Sequence, residues 1–189
     1  MTWMQTHTGK RFDFEAFFSG NLSSNDIVLE DIIWALSHVV RYGGHASEPY
    51  TVGQHSVYVS RRAQDHVGPE LKRMAGMCGL LHDATEAYLG DVVRPLKALM
   101  PLYAKLEEHL DRRIRRRFGL SDLDEVWSAV RQADEELLAT EAAYFYPEAQ
   151  RPASWELKYA PLPAFGLYTW PTTETRSIFR ERAEELGVR

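Results

Sequence analysis

Three stretches of the chain put a metal-capable side chain on an otherwise apolar face. The run Met77 to Leu81 leads into an adjacent His82-Asp83 pair, and two further acids follow at Glu86 and Asp91. Earlier in the chain, Val52, His55 and Val59 share a helical face by steps of three and four, so His55 points inward. Later, Val126, Trp127, Val130, Ala133, Leu137 and Leu138 form an apolar stripe, and Asp134 falls inside it. A polar group in an apolar setting costs roughly 2–7 kcal/mol when it has no partner. An inward histidine taken alone is most often a satisfied core residue, and a His-Asp dipeptide an ordinary helix end. An aspartate on an apolar stripe is rarer and needs a partner. Imidazoles and carboxylates together suit a divalent metal ion, and His55, His82, Asp83 and Asp134 make a four-ligand set.

The elements that must position these residues read as helical. Residues 2–14 alternate around Thr8-Gly9 as a small hairpin, and 15–25 reads as loop, including Ser23-Ser24-Asn25. The first long helix is expected from Asp26, with Ile32, Ile33, Leu36, Val39 and Val40 on one face and Gly43-Gly44 ending it. Thr51 caps a second helix running to about His66. Pro69 starts a third, which carries the His-Asp pair and is closed by Gly90. Pro95 and Pro101 bracket a short helix. The next has Leu102, Leu106, Leu110, Ile114 and Phe118 as a core stripe, with Arg112, Arg113, Arg115, Arg116 and Arg117 on the other face. That basic face near a helix C-terminus is read as solvated and favourable to the macrodipole. A helix from Ser121 to about Tyr146 follows. Residues 147–171 hold five of the nine prolines along with Trp155, Tyr159, Phe165, Tyr168 and Trp170, and read as an ordered aromatic-rich loop. A last helix spans about Thr173 to Leu186. The fold class expected is all-α, one domain over residues 1–189 with a minor N-terminal β-hairpin.

Composition narrows the function. Hydrophobic content is 44% and charged content 26%, ordinary values for a globular protein. The net charge of −5 argues against a long, sequence-independent grip on a nucleic-acid polymer. A small phosphorylated substrate stays compatible with it, because a pocket's charge can oppose the global one. The single Cys78 excludes an internal disulfide and fits a reducing, cytoplasmic setting; it reads as a buried structural thiol. No apolar run approaches a membrane span and no signal peptide is visible.

In order along the chain stand Arg41-Tyr42-Gly43-Gly44-His45, Tyr50-Thr51-Val52-Gly53-Gln54-His55-Ser56, Leu81-His82-Asp83-Ala84-Thr85-Glu86-Ala87, Gly90-Asp91 and Ala133-Asp134. This ordered set, over roughly residues 26–145, resembles the HD-domain metal-dependent phosphohydrolase superfamily. Within it the chain is similar to the compact branch of bacterial 5′-deoxynucleotidases and phage dATP triphosphohydrolases. The resemblance implies a helical HD bundle with metal ligands His55, His82, Asp83 and Asp134. It implies that Glu86 and Asp91 organise the attacking water or help to hold a second metal. Arg41 and Lys97 fall where the family contacts phosphate, and Tyr42 and Pro95 where it holds base or sugar; His45 is a further phosphate candidate. A divalent cofactor (Co, Mn, Zn, Ni or Mg), a nucleotide substrate and a homo-oligomer are implied as well.

The implied reaction attacks the α-phosphate of a deoxynucleotide. A divalent ion acidifies water and polarises a phosphoryl oxygen, Glu86 or Asp91 positions that water or takes its proton, and Arg41 and Lys97 neutralise developing charge. From Asp83 to Asp134 is 51 positions (134 − 83), a short connection similar to the triphosphohydrolases, so dATP is the first substrate expected. The alternative is a 5′-deoxynucleotidase acting on dNMPs. Other classes fit less well. A di-iron bundle needs Glu-x-x-His pairs, and no histidine here has an acid three residues before it. The Gly-Tyr-Pro signature of HD-type cyclic-dinucleotide phosphodiesterases is absent after the His-Asp pair. A non-catalytic nucleotide-binding module would have lost a ligand. RNA binding through Arg112–Arg117 would be strongly salt-dependent.

Overall fold

The computed structural model describes residues 2–21, 26–147, 155, 157–163 and 165–189. The fold is all-α with one two-stranded antiparallel sheet at the N-terminus. Strands β1 (Trp3–Gln5) and β2 (Arg11–Asp13) pair with Met4 opposite Phe12, and Gly9 takes a positive φ in the turn between them. Nine helices follow among the described residues: α1 (Phe14–Phe18), α2 (Leu29–Leu36), α3 (Val52–Ala63), α4 (Lys72–Leu81), α5 (Glu86–Leu89), α6 (Arg94–Lys97), α7 (Pro101–Phe118), α8 (Asp124–Phe145) and α9 (Thr172–Leu186).

Helix α3 is the centre of the bundle, with every residue from Val52 to Ser60 buried. It packs along α4 and α8, and α9 closes over α3 and α4. The Thr51 hydroxyl accepts from Gln54 N–H, as the sequence predicts for a cap. The α3–α4 approach depends on Gly79, where an added Cβ would stand 2.9 Å from the Ser60 backbone. One hydrophobic core, from Phe12 to Val188, runs through all of this. No helix among the described residues is long and apolar enough to cross a membrane.

Several boundaries differ from the sequence expectation. The stretch after residue 14 begins as a helix, because the Asp13 carboxylate accepts from the amides of Glu15 and Ala16; Ser23-Ser24-Asn25 lie outside the described residues. Helix α2 stops at Leu36, not at Gly43-Gly44. The Ser37 hydroxyl and His38 Nδ1 both lie 2.7 Å from the Trp34 carbonyl, and β-branched Val40 forms a bridge with Thr51 instead. Pro69 sits in a turn closed by Leu71 N–H on Gly68 C=O, so α4 begins three residues later. Helix α4 ends at Leu81, and Gly90, at φ +78°, closes the short α5 rather than α4. Pro95 lies inside α6, and Pro101 opens α7. Leu102 is 65% exposed, so the core stripe of α7 starts later, at Leu106. The arginines of α7 are partly committed: Arg112 pairs with Glu108, Arg115 with Asp111, and Arg113 donates to Gly20 C=O. Within residues 147–171, Gln54 fastens the loop to the core by donating to Tyr168 C=O and accepting from Trp170 N–H; residues 148–154, 156 and 164 lie outside the described residues.

Candidate metal-binding cleft

Three elements converge on one cluster. His55 lies on α3, His82 and Asp83 sit just past the end of α4, and Asp134 is midway along α8. One ligand atom each from His55, His82 and Asp83 lies within 4.8 Å of the others, a spacing at which they could hold a metal ion. Asp134 stands beside that trio, with Oδ1 3.1 Å from His55 Nε2 and Oδ2 accepting from Arg94 at 3.1 Å.

The histidine tautomers test whether a metal fits. His55 Nδ1 is 2.6 Å from Glu141 Oε1, and His82 Nδ1 is 2.8 Å from the Gly79 carbonyl. Each contact requires a proton on Nδ1, so each neutral ring turns the lone pair of Nε2 towards the cluster. Both Nε2 atoms are buried and lack a hydrogen-bond partner among the described residues. The neighbouring carboxylate oxygens stand 3.1 Å from these nitrogens, outside hydrogen-bond geometry. Buried, unsatisfied and convergent imidazole nitrogens beside carboxylates fit a divalent ion.

Without an ion the surrounding acids favour a proton on His55: burial and Arg41 oppose its charge, but Glu141 and Asp134 outweigh them and lift it to about 9, so a divalent ion would take the place of the Nε2 proton. Burial works against ionisation of Asp83 too, yet His82 and His55 pull it down to about 2. Asp134 is held low by its contact with His55 despite burial. Glu86 goes the other way. Burial raises it well above the usual carboxylate range, and Asp83 and Asp91 add like-charge repulsion. Asp91 is raised chiefly by burial, with Asp83 adding repulsion. Glu86 Oε2 also lacks a partner. A site that crowds acids around two open imidazoles is one whose charge balance a divalent cation restores.

The cluster opens into a cleft of about 600 Å³. The sequence-derived candidates Arg41, Tyr42, Asp83, Glu86, Asp91, Pro95, Lys97 and Asp134 all line it. His45 is exposed and is not part of that lining. Arg41 Nε donates to Glu141 at 3.2 Å and its NH1 reaches Asp83 at 3.6 Å, while Lys97 pairs with Glu107 at 2.6 Å.

Sequence reasoning missed Glu141, which is fully buried. Its carboxylate accepts from Arg41 Nε, Tyr42 OH (2.6 Å), Tyr50 OH (2.9 Å) and His55 Nδ1. It is ionised in spite of burial, held at about 2 by Arg41 and His55. The signal was available: Glu141 follows Asp134 by seven residues, on the same helical face. Arg94 was missed as well, an exposed cation with no apolar pattern to mark it.

No protein-family profile matches the chain. It is 37% identical over 141 residues to the uncharacterized protein YfdR of Escherichia coli, a match covering 75% of this chain and 71% of that protein. A second uncharacterized protein, from Rhodobacter capsulatus, is 32% identical over 124 residues, covering 62% of this chain and 59% of its own length. On the first of these matches, the chain belongs to the family of Escherichia coli YfdR.

Proposed function

We propose that the cleft is the active site of a metal-dependent phosphohydrolase of the HD type acting on deoxynucleotides. The observation that carries this reading is the pair of buried Nε2 atoms without hydrogen bonds, each ring fixed through Nδ1, beside Asp83 in an open cleft. His55, His82, Asp83 and Asp134 hold the ion. When bound, the ion supplies Lewis acidity for attack by water on phosphorus. Glu86, buried and lacking a partner at Oε2, orients that water. Burial and its acidic neighbours favour its protonated form, and next to the charge of a bound ion it would ionise and so accept the water's proton, with Asp91 beside it. Arg41, fixed by Glu141, faces the cleft as the cation for the phosphoryl oxygens, with Lys97 as a second.

Attack at the α-phosphorus would release triphosphate from a dNTP or orthophosphate from a dNMP. The short connection between Asp83 and Asp134 supports the triphosphate reading, with dATP first. The dNMP reading gains from the ion pairs, since Arg41, Arg94 and Lys97 are each already matched by an acid. One assay decides between them. The metal-stripped chain is reconstituted with Co, Mn, Ni, Zn or Mg and offered every deoxynucleoside mono- and triphosphate, with products separated. Triphosphate release from dATP is expected. Orthophosphate from dAMP with dATP untouched would establish the monophosphatase instead, and no hydrolysis with any metal would overturn the enzyme reading.

A further inference from the structure

The cleft has an aromatic wall that the metal chemistry does not use. Tyr42, Tyr146 and Trp155 all line it, and all three are half-buried, whereas the adjacent Phe145 is sealed in the core. The three rings touch one another. Tyr146 meets Tyr42 and Trp155 edge-on, at centroid distances of 5.6 and 5.2 Å. Tyr42 and Trp155 lie within 30° of parallel, with centroids 6.3 Å apart. These contacts leave no slot between the three rings, so a flat ring would lie against the cleft side of this wall at the usual carbon contact of roughly 3.5 Å. Tyr42 is also strained: it is the one non-glycine residue with positive φ (59°) among the described residues. Its hydroxyl donates to Glu141 at 2.6 Å, which fixes the ring at the cleft. The guanidinium carbon of Arg41 lies 5.4 Å from the centroid of that ring, so a cation abuts the aromatic wall.

We propose that Trp155, together with Tyr42 and braced by Tyr146, is the stacking seat for the aromatic ring of the substrate, so that the cleft selects phosphate esters carrying a nucleobase and reads the base by its face. The assignment of the phosphate end rests on the phosphohydrolase reading; the ring seat itself does not. Reading by the face predicts tolerance among bases, since every base has a π-face. A phosphate ester without a ring, such as 2-deoxyribose 5-phosphate, gains nothing from this wall.

The test compares wild type, Trp155→Ala and Trp155→Phe as full-length, metal-loaded protein. For the best deoxynucleotide, Trp155→Ala should raise KM roughly 5- to 150-fold, the range covered by one lost base–aromatic stack, with kcat little changed. The kcat/KM for 2-deoxyribose 5-phosphate should not move, and Trp155→Phe should recover most of the loss. An equal loss on both substrates would overturn the seat while leaving the hydrolase intact. A second readout needs no turnover. Deoxyadenosine, which carries no phosphate, should quench tryptophan emission in wild type more than in Trp155→Phe; the chain has five tryptophans, and the difference isolates this one. Equal quenching in the two proteins also overturns the seat. A Trp155-dependent quench from a chain that hydrolyses nothing would keep the seat and discard the phosphohydrolase.

Discussion

Glu86 and the four proposed ligands are close together yet differ in what their loss should do. Glu86 is buried among acids, has an open carboxylate oxygen and stands outside the trio that could hold a metal. Glu86→Gln keeps the volume and removes the base. Bound metal, measured by elemental analysis, should stay near the wild-type level, while turnover falls on the order of 100-fold or more. Near-normal turnover would remove Glu86 from the mechanism. Glu141 works at one remove. It touches Arg41, Tyr42 and His55 at once, so it sets the orientation of a cation, an aromatic ring and a ligand from a single buried charge.

At the scale of elements, the site exists because α4 lies close against α3. His82 and Asp83 leave the end of α4 one turn beyond Gly79, and His82 Nδ1 is held by the Gly79 carbonyl itself. A methyl group at Gly79 would meet backbone, 2.9 Å from Ser60 Cα and 3.0 Å from Ser60 N, which no rotamer change can relieve. Gly79→Ala should therefore destabilise the fold by about 1–3 kcal/mol and lower Tm by roughly 2–12 °C in a thermal melt. It should also weaken metal binding, because it shifts two ligands together. Gly166→Ala is the control: it has open space among the described residues and no positive φ, and its melt should match wild type. A normal melt for Gly79→Ala would mean that the helices have room to separate.

At the scale of the molecule, the proposed ion would tie together positions 55, 82, 83 and 134, which come from three separate helical elements. A ligand that binds only the folded chain stabilises it, by about 2.7 kcal/mol at a hundred times its Kd. The fitting metal should therefore raise Tm by roughly 5–11 °C. His55→Ala, His82→Ala and Asp134→Ala should each abolish that rise together with the bound metal. Asp134 is the sharpest of the three, because it stands beside the trio and also pairs with Arg94. Full metal occupancy in any two of these variants would sink the four-ligand assignment.

The sequence by itself determined the all-α class, the N-terminal hairpin and the inward placement of His55. These follow from local periodicity and from a cap such as Thr51, which need no knowledge of the partner surface. It also singled out His55, His82 and Asp134, because polar side chains on apolar faces stand out in one dimension, whereas Arg41, Tyr42, Pro95 and Lys97 were marked only by the resemblance to the HD-domain family. It did not place helix ends such as that of α2, where Ser37, His38 and Val40 were claimed by hydrogen bonds and a bridge to Thr51 rather than by helical propensity. Only the tertiary structure revealed Glu141 as the hub, since its four partners come from residues 41, 42, 50 and 55, 86 to 100 positions away. Only the tertiary structure brought Trp155 against Tyr42 and Tyr146, because a contact across 113 positions (155 − 42) leaves no periodic trace. Periodicity reports which side of an element faces inward; what it meets there depends on how distant elements pack.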